Sequence, residues 1–231
     1  QSSRKRGDGR VAAAVCPELP HRADHNVAKK EHRRNEVHES KGEVEVSHGD
    51  AVRGGQMVPS APILLALTMD RILECVPNFS EGRDPRIIQQ ISDAIAAMDG
   101  VELLDVDPGK ATNRTVVTFA GAPEAVLDAA VMAGRLSKDL IDMAKQSGEH
   151  PRFGGMDVCP LVPISGVTME ETAAYARELG RRLGEEAGLS IYLYENAATK
   201  PERRNLAVVR AGEYEALPDR MKDPEGAPDF G

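Results

Sequence analysis

The sequence has few of the residues that would build an aromatic or cross-linked core. Tryptophan is absent and aromatic residues make up 3% of the chain, so a core must consist of aliphatic side chains. The three cysteines, Cys16, Cys75 and Cys159, are far apart, and none belongs to a Cys-x-x-Cys pair. This pattern argues against a disulfide framework and a zinc site, and it is typical of a reducing cytoplasm.

Signals of several protein classes are also missing. The sequence contains no G-x-S-x-G, G-x-G-x-x-G or P-loop motif, so hydrolase and nucleotide-binding interpretations have no support. Its longest apolar run, APILLAL at 61–67, is too short to cross a bilayer and too far from the N-terminus for a signal peptide. We therefore expect a soluble, cytoplasmic protein with no membrane partner.

Charge is distributed unevenly along the chain. Residues 1–68 carry 11 Lys and Arg against 9 Asp and Glu, whereas residues 69–231 carry 18 against 28, so the net charges are about +2 and −10. A strongly negative domain is repelled by phosphate backbones, so nucleic acid is not an expected partner.

The first part of the chain lacks hydrophobic periodicity. Residues 1–56 are polar and poor in Ile, Leu and Phe, so they cannot bury enough surface to offset the entropy of ordering. We predict that residues 1–68 are a disordered leader or mistranslated upstream sequence, with Met57 and Met69 as candidate true starts. A basic interaction tail is the alternative, and the histidine spacings match no closed metal site.

From Met69 onwards the pattern becomes regular. The predicted strands cover 71–77, 101–107, 114–120 and 156–164; one helix runs from Pro85, capped by Asp84, to Gly100, and another runs from Pro123 through Met143 to Gly148. The order β-α-β-β-α-β is that of a ferredoxin-like fold, in which two helices cover one face of an antiparallel sheet.

One further αβ unit follows. Thr168 and Glu171 form a capping box that begins a third helix, and Gly188 ends this helix. Residues 190–196 are predicted to be a fifth strand, and 202–221 to be helical with a break near Gly212. The fold class is therefore α+β, a ferredoxin-like βαββαβ sandwich with an added αβ unit.

The expected domain covers residues 69–224. The Pro- and Gly-rich residues 225–231 that follow are predicted to begin a linker.

Three polar loops are candidates for a functional site. They cover residues 76–85, 105–115 and 147–155, and the last contains His150, the only histidine after residue 48. Polar groups on loops held by a rigid sheet often form sites, yet the same residue types are ordinary turn formers. An imidazole here suits a general base, and it also suits a solvated surface histidine, so composition and spacing leave both interpretations open.

The wording of these loops resembles one family. The stretches ECVPNFSEGRD (74–84), LLDVDPGKATNRTVVTFAG (103–121), GEHPRFGGMDVCPLVPI (148–164) and YLYENAATKPERRNLAVVR (192–210) resemble the formiminotransferase family in the same order. Together with the final APDFG, the resemblance covers residues 69–231. An eleven-residue opening motif combined with a His-Pro-Arg loop is far more specific than a short motif.

The resemblance implies an enzyme that transfers a formimino group from N-formiminoglutamate to N5 of tetrahydrofolate in histidine degradation. It implies tetrahydrofolate as co-substrate, no metal, and two ferredoxin-like subdomains with folate between them. This chain would be the first subdomain, with residues 225–231 beginning the linker to a second. The expected partners are the small-molecule substrates, and a homodimer remains open.

The resemblance also implies site residues. His150 matches the catalytic histidine, which would move a proton between the pterin and the leaving glutamate. Asp107 would stabilise positive charge or orient the imidazole. The residues expected to bind substrate or folate are Asn78, Ser80, Lys110, Asn113, Arg114, Arg152, Gly154, Gly155 and Gly231. Two alternatives stay open: a formyl in place of a formimino donor, and a non-catalytic folate-binding or dimerisation module.

Overall fold

The computed structural model of the protein describes residues 71–231. The predicted leader and both candidate starts lie outside the described residues. The principal elements are β1 (Ile72–Cys75), β2 (Asn78–Phe79), α1 (Pro85–Ala96), β3 (Val101–Gly109), β4 (Arg114–Gly121), α2 (Pro123–Leu140), β5 (Met156–Val158), β6 (Leu161–Ser165), α3 (Met169–Ala187), α4 (Leu206–Val209) and α5 (Leu217–Arg220). The structure is a mixed α and β fold, as predicted.

All pairings among these strands are antiparallel. The order is β5-β2-β4-β1-β6, and β3 pairs with β4. Strand β2 continues the line of β1, and β6 continues that of β5. The sheet therefore has four lines, in the order β5/β6, β1/β2, β4 and β3.

Two prolines interrupt the strands: the predicted fourth strand, 156–164, is divided into β5 and β6, and the predicted first strand, 71–77, ends at Cys75 and is followed by the unpredicted short strand β2. Pro77 separates β1 from β2, and Pro160 separates β5 from β6. Proline has no N–H to donate to a ladder, so strand pairing is interrupted at both positions. The two interruptions face each other, because the backbone N–H of Val76 donates to the carbonyl oxygen of Pro160 at 3.1 Å.

The main core lies between one face of the sheet and the helices α1, α2 and α3. It is aliphatic, as the composition predicted, with Phe119 among the few aromatic contributors. Leu73, Phe119, Leu179 and Leu183 have no exposed surface. Burying each such side chain stabilises the fold by about 1.5–3 kcal/mol.

The helix starts agree with the sequence. Asp84 caps α1 by accepting from the backbone N–H of Arg86 at 2.9 Å. Thr168 and Glu171 form the predicted capping box of α3, and Gly188 ends that helix in the left-handed conformation with a φ of 63°. Local side-chain chemistry is sufficient to fix these ends.

The predicted end of α2 at Gly148 is wrong. The helix ends at Leu140, and Ile141 has an extended backbone. The Asp142 carboxylate accepts from the backbone N–H of Ala144 at 3.1 Å, which forms a turn that competes with the helix. Met143 is nevertheless buried in the core.

The predicted fifth strand, 190–196, is wrong as well. The segment forms isolated bridges instead of a strand, one of them between Ile191 and Phe230. The backbone N–H of Ile191 donates to Phe230, and that of Leu193 donates to the Asp229 carboxylate, both at 2.8 Å. These two backbone N–H groups therefore bond to Phe230 and Asp229 and not to the sheet.

Residues 225–231 pack against the same domain. Asp229 forms a buried ion pair with Arg203 at 2.6 Å, and the Arg203 guanidinium also donates to the carbonyl oxygen of Ala227. That these residues begin a linker remains a prediction. Among the helices of 71–231, none combines the length and hydrophobicity needed to cross a bilayer.

A second, smaller apolar cluster lies beside β5. Its members are Phe153, Val158, Tyr192, Tyr194, Val209 and Leu217. The predicted helical region 202–221 contributes to it as short pieces, with Gly212 at a φ of 80° between them. This cluster places the C-terminal segment next to the loop that carries His150.

Candidate functional site

The three polar loops converge on one small, tightly packed cleft with a free volume of about 10 Å³. It lies where β4 begins and β5 approaches β2. Its lining residues are Ser80, Thr112, Asn113, Arg114, Gly148, His150, Pro151, Arg152 and Asp157.

His150 is half-buried in this cleft and has a partner at each ring nitrogen. Its Nε2 lies 2.5 Å from an Nη1 of Arg114, and its Nδ1 lies 2.6 Å from the carbonyl oxygen of Pro151. An arginine can only donate and a carbonyl oxygen can only accept. The partners therefore define a neutral imidazole with its proton on Nδ1 and its lone pair on Nε2.

Asp157 brings a buried carboxylate to the same cleft. The residue is 1% exposed; one carboxylate oxygen accepts from the Phe153 backbone N–H at 2.7 Å, and the other is ion-paired with Arg210. Burial raises the pKa of Asp157, while Arg210, the Phe153 N–H and His150 oppose the rise. The carboxylate therefore depends on its neighbours to stay ionised.

The charge state of Arg114 is influenced by burial and by neighbouring charges. Burial lowers the pKa of its guanidinium, and the nearby charges of Asp157 and Asp107 oppose that shift, whereas the charge of Arg210 adds to it. The guanidinium thus contacts the imidazole and is influenced by two carboxylate charges, in a partly buried environment where charge interactions are strong.

A buried network joins the loops behind the cleft. The Glu81 carboxylate, 5% exposed, accepts from the backbone N–H groups of Arg83 at 2.7 Å and Asp84 at 2.9 Å, and from Gln146 Nε2 at 2.9 Å. Gln146 in turn accepts from Asn113. The network fixes the loop positions, since each buried polar group has a partner.

Two residues of this region have backbones that other types tolerate poorly. Asn113 has a φ of 50°, which lets its side-chain oxygen accept from the Gly82 N–H at 3.0 Å. A Cβ on Gly82 would lie 2.4 Å from the Gly109 carbonyl oxygen and 2.6 Å from the Arg114 nitrogen. Only glycine allows this close approach of the two loops.

Arg152 ties the His150 loop to the C-terminal segment. Its guanidinium pairs with Glu215 at 2.5 Å and with Glu213 at 3.5 Å. Its carbonyl oxygen accepts from the Tyr214 N–H at 3.0 Å. The loop is therefore held by a segment more than 60 residues away in sequence.

Three of the residues expected to bind substrate leave a buried polar atom unused. Asn78 Oδ1, Arg114 Nε and Arg152 Nε have no hydrogen-bond partner in the part of the chain that the structure describes. Unpaired buried polar atoms are rare in folded proteins, so they are natural positions for ligand contacts.

Other predicted site residues have structural roles or lie apart. Ser80 is buried and donates to the Gly154 carbonyl oxygen at 2.7 Å, and Ser80 N–H donates to that of Gly155 at 2.9 Å. Lys110 is exposed and is not part of the cleft lining. Gly231 is also outside the lining and lies against Leu189, so the structure does not bring it to the cleft.

Asp107 is exposed on β3, outside the cleft lining. Strand register places it opposite Val116, which is also opposite Asn78. Directly paired residues share a face, so Asp107 and Asn78 lie on the sheet face opposite the main helices, where Asp107 acts on Arg114 through its charge.

Four residues that line the cleft were not among the predicted site residues, namely Thr112, Gly148, Pro151 and Asp157, and neither was Arg210, which pairs with Asp157. Asp157 had a signal in the sequence, because it is a carboxylate inside the apolar stretch MDVCPLVPI. Arg210 had none, since its partner lies 53 residues away and its own segment is rich in charge. Within residues 71–231, no group of three or more His, Cys, Asp or Glu side chains is placed to hold a metal ion.

The antiparallel sheet thus presents one imidazole near arginines and a buried carboxylate. Known proteins can be compared with this arrangement. Residues 72–231 match the family model described as formiminotransferase domain, N-terminal subdomain. The chain therefore belongs to the formiminotransferase N-terminal subdomain family, as the loop motifs predicted.

Curated relatives support this assignment. The chain is 53% identical over 163 residues to formimidoyltransferase-cyclodeaminase of Mus musculus, a match that covers 71% of the chain and 30% of the relative. It is 40% identical to glutamate formimidoyltransferase of Streptococcus pyogenes, covering 71% of the chain and 54% of the relative. It is 45% identical to the Thermoplasma acidophilum enzyme of that name, covering 69% and 54%. The chain thus spans about a third to a half of these relatives.

Proposed function

We propose that this chain is the catalytic half of a glutamate formimidoyltransferase, acting with tetrahydrofolate as co-substrate in the cytoplasm. The reaction would move a formimino group from N-formiminoglutamate to N5 of tetrahydrofolate. The observation that carries the proposal is His150, with its Nε2 lone pair directed into a cleft between Arg114 and Asp157. The names of the relatives point to the same transfer.

The chemistry requires one group that takes a proton and later returns it. N5 attacks the amidine carbon, a new N–C bond forms, and N5 loses its proton to His150 Nε2. The bond between that carbon and the glutamate nitrogen then breaks, and the protonated imidazole returns the proton to the departing amine. General acid–base help of this kind is worth roughly 10²–10⁴ in rate.

Arg114 occupies the position that the attacking amine needs. Its Nη1 now donates to Nε2, so an incoming N5–H would replace it as the partner of that nitrogen. The displaced guanidinium would remain in the cleft, where it can bind a carboxylate of folate or formiminoglutamate. Arg152 would offer its unused Nε to the same anions.

Asp107 and Asn78 would act on the pterin side. Both lie on the sheet face opposite the helices, and the Asn78 Oδ1 has no donor within the described structure. An N–H of the reduced pterin would satisfy this oxygen, while Asp107 would stabilise the positive charge on the nitrogens of the tetrahedral intermediate.

The finer architecture belongs to the proposal. The observed strand lines agree with a ferredoxin-like subdomain over 69–224, to which α3 is added. The relatives are longer than this chain, which supports a second subdomain that completes the folate site after a linker beginning at 225–231. Lys110 and Gly231, which lie outside the cleft, would meet folate only in such an assembly, or in a homodimer.

The test combines His150→Gln with two measurements on the full chain. Binding of tetrahydrofolate is measured by calorimetry, and transfer is measured by acid conversion of the product to methenyltetrahydrofolate, followed by absorbance. Glutamine keeps a hydrogen-bonding group but cannot carry the proton. We expect transfer to fall roughly 10²–10⁴-fold while folate affinity is retained.

The matched control is His48→Gln, which should leave both measurements unchanged. If His150→Gln keeps transfer within about threefold of wild type, the assignment of the base is wrong, since acid–base help is worth far more. Folate binding without transfer in the wild type would favour the binding-module alternative. Running the assay with N-formylglutamate separates a formyl from a formimino donor.

A further inference from the structure

The ion pair between Asp157 and Arg210 lies next to the imidazole without touching it. Asp157 is on β5, and Arg210 follows directly after α4. The Asp157 side chain is 2% exposed and the Arg210 side chain is 18% exposed. A pair this deeply buried is costly to desolvate, so it needs a role that an apolar pair could not fill.

Asp157 holds the backbone of the loop that carries His150. Its carboxylate accepts from the Phe153 N–H at 2.7 Å, three residues after the histidine. The segment 206–216 holds the same loop twice more, through the Glu213 and Glu215 pairs with Arg152 and through the Tyr214 N–H. Asp157 is the one of these anchors that also lines the cleft.

Asp157, His150 and Arg114 line the same cleft, so the charge of Asp157 acts close to the His150–Arg114 contact. It favours the charged Arg114 guanidinium there, while the charge of Arg210 disfavours it. Because Arg114 can only donate, its place beside Nε2 is what keeps the imidazole proton on Nδ1.

We propose that Asp157, paired with Arg210, is a positioning residue that selects the catalytic tautomer of His150. The carboxylate fixes the loop through Phe153, which holds the Pro151 carbonyl oxygen at Nδ1, and its charge favours the Arg114 guanidinium beside Nε2 in the shared cleft. This inference rests on the proposed function of His150. Arg210 contributes through its ion pair with Asp157 and, more weakly, through its repulsion of Arg114.

The tautomer can be read without any activity. Chains labelled with ¹⁵N-histidine give ring-nitrogen signals that report which nitrogen carries the proton, and the His150→Gln spectrum identifies the His150 signals. We expect the Nδ1–H form in the wild type. In Arg210→Met and Asp157→Asn we expect a shift towards the Nε2–H form, which an unconstrained imidazole favours in water.

The two variants separate charge from shape. Asparagine at 157 can still accept from the Phe153 N–H, so its effect isolates the loss of charge. Arg210→Lys keeps the charge and should restore the wild-type spectrum. The matched control is Arg181→Met, the same substitution at an exposed arginine that also pairs with two carboxylates, Glu178 and Glu185, and it should change nothing.

Kinetics provides the second readout. A base with its proton on the wrong nitrogen loses part of the general acid–base help, which is worth roughly 10²–10⁴ in rate, so we expect the kcat of Arg210→Met and Asp157→Asn to fall by up to that factor. The KM for tetrahydrofolate should stay unchanged. If Arg210→Met does not fold, the double variant Asp157→Asn/Arg210→Met avoids the unpaired carboxylate and is measured in its place.

Retention of the Nδ1–H signal in both Asp157→Asn and Arg210→Met would overturn this inference, whatever the activity. Absence of transfer in the wild type, together with the expected tautomer shift in Asp157→Asn and Arg210→Met, would overturn the proposed function and leave the positioning role standing. The two failures are therefore distinguishable.

Discussion

The two ends of the central strands bury different chemistry. One end, on the side of Pro77 and Pro160 where β1 and β6 lie, is apolar. Its core side chains, such as Leu73 and Leu161, need no hydrogen-bond partners. Above the prolines, the polar end formed by β2, β5 and their loops also buries polar groups. These are Asn78, Ser80, Glu81, Asn113, Thr115 and Asp157.

This difference separates stability from chemistry. Apolar contacts are non-directional, so the apolar end tolerates substitutions that keep volume and hydrophobicity. Buried polar groups need partners in defined directions, so the polar end is sensitive to the loss of a single atom. The first end supports the sheet, and the second uses that support to hold loops around His150.

Truncation in the apolar end should have the largest effect on stability. Phe119→Ala removes a fully buried ring and should lower the free energy of unfolding by about 3–5 kcal/mol, measured by urea denaturation. Phe119→Leu should cost less, and its folate affinity should match that of the wild type. A change in affinity in a folded Phe119→Leu variant would break the separation of the two ends.

Glu81→Ala in the polar end should come next. It leaves the N–H groups of Arg83 and Asp84 without their buried acceptor, at a cost of about 1–3 kcal/mol. Unlike the Phe119 variants, it should also weaken folate binding, because Gln146 and Asn113 lose their anchor beside the cleft. Glu81→Gln, which keeps an oxygen for the two N–H groups, is the control. Its stability and folate affinity should lie between those of the wild type and of Glu81→Ala.

Asp84 tests the border of the polar end through pH. The contact with the Arg86 side chain and the Arg86 N–H lower the pKa of Asp84 from 3.8 to about 2. Its ionised form therefore contributes stability above pH 4, and this contribution is lost as the pH falls towards 2. Asp84→Asn keeps the cap but removes the titration.

The measurement is the difference in Tm between wild type and Asp84→Asn. We expect it to be small and constant above pH 5 and to shrink between pH 4 and pH 2. A difference that grows on acidification would have the wrong sign for a lowered pKa and would contradict the assignment.

The smallest effect is expected on the surface of the helical layer. Arg135 pairs with Glu186 at 3.1 Å, and the two side chains are 44% and 36% exposed. Exposed pairs are screened and contribute little, so Arg135→Ala should leave the Tm almost unchanged. A fall as large as that of Glu81→Ala would mean that the helical layer also depends on polar partners.

Local signals in the sequence were sufficient for the order of the longer elements up to α3 and for the caps of α1 and α3. Asp84, Thr168 and Gly188 act on backbone groups within a few residues, so their roles are readable from the chain. The interruption at Pro160 had a readable cause as well, yet β5 and β6 were predicted as one strand, while β2, beyond Pro77, was predicted to be part of a polar loop.

Features that depend on distant partners were not predictable. The segment 190–196 has a strand-like sequence, but its partners are Asp229 and Phe230, so it joins the end of the chain instead of the sheet. Arg210 was not predicted for the same reason, because its partner Asp157 is distant in sequence. The family resemblance supplied His150 as a candidate, while its contact with Arg114, 36 residues away, emerged only from the fold.

The seam between the two ends carries a reporter of its own. Cys75 and Cys159 lie there with their sulfur atoms 3.5 Å apart, both free and both without exposed surface. Burial, together with Cys159, raises the pKa of the Cys75 thiol well above its ordinary value. An alkylating reagent therefore neither reaches this thiol nor finds it as a thiolate while the strand junction stays folded. The rate at which Cys75 and Cys159 are alkylated, followed by peptide mass spectrometry, therefore reports how often the strand junction opens in the unlabelled, unmutated protein.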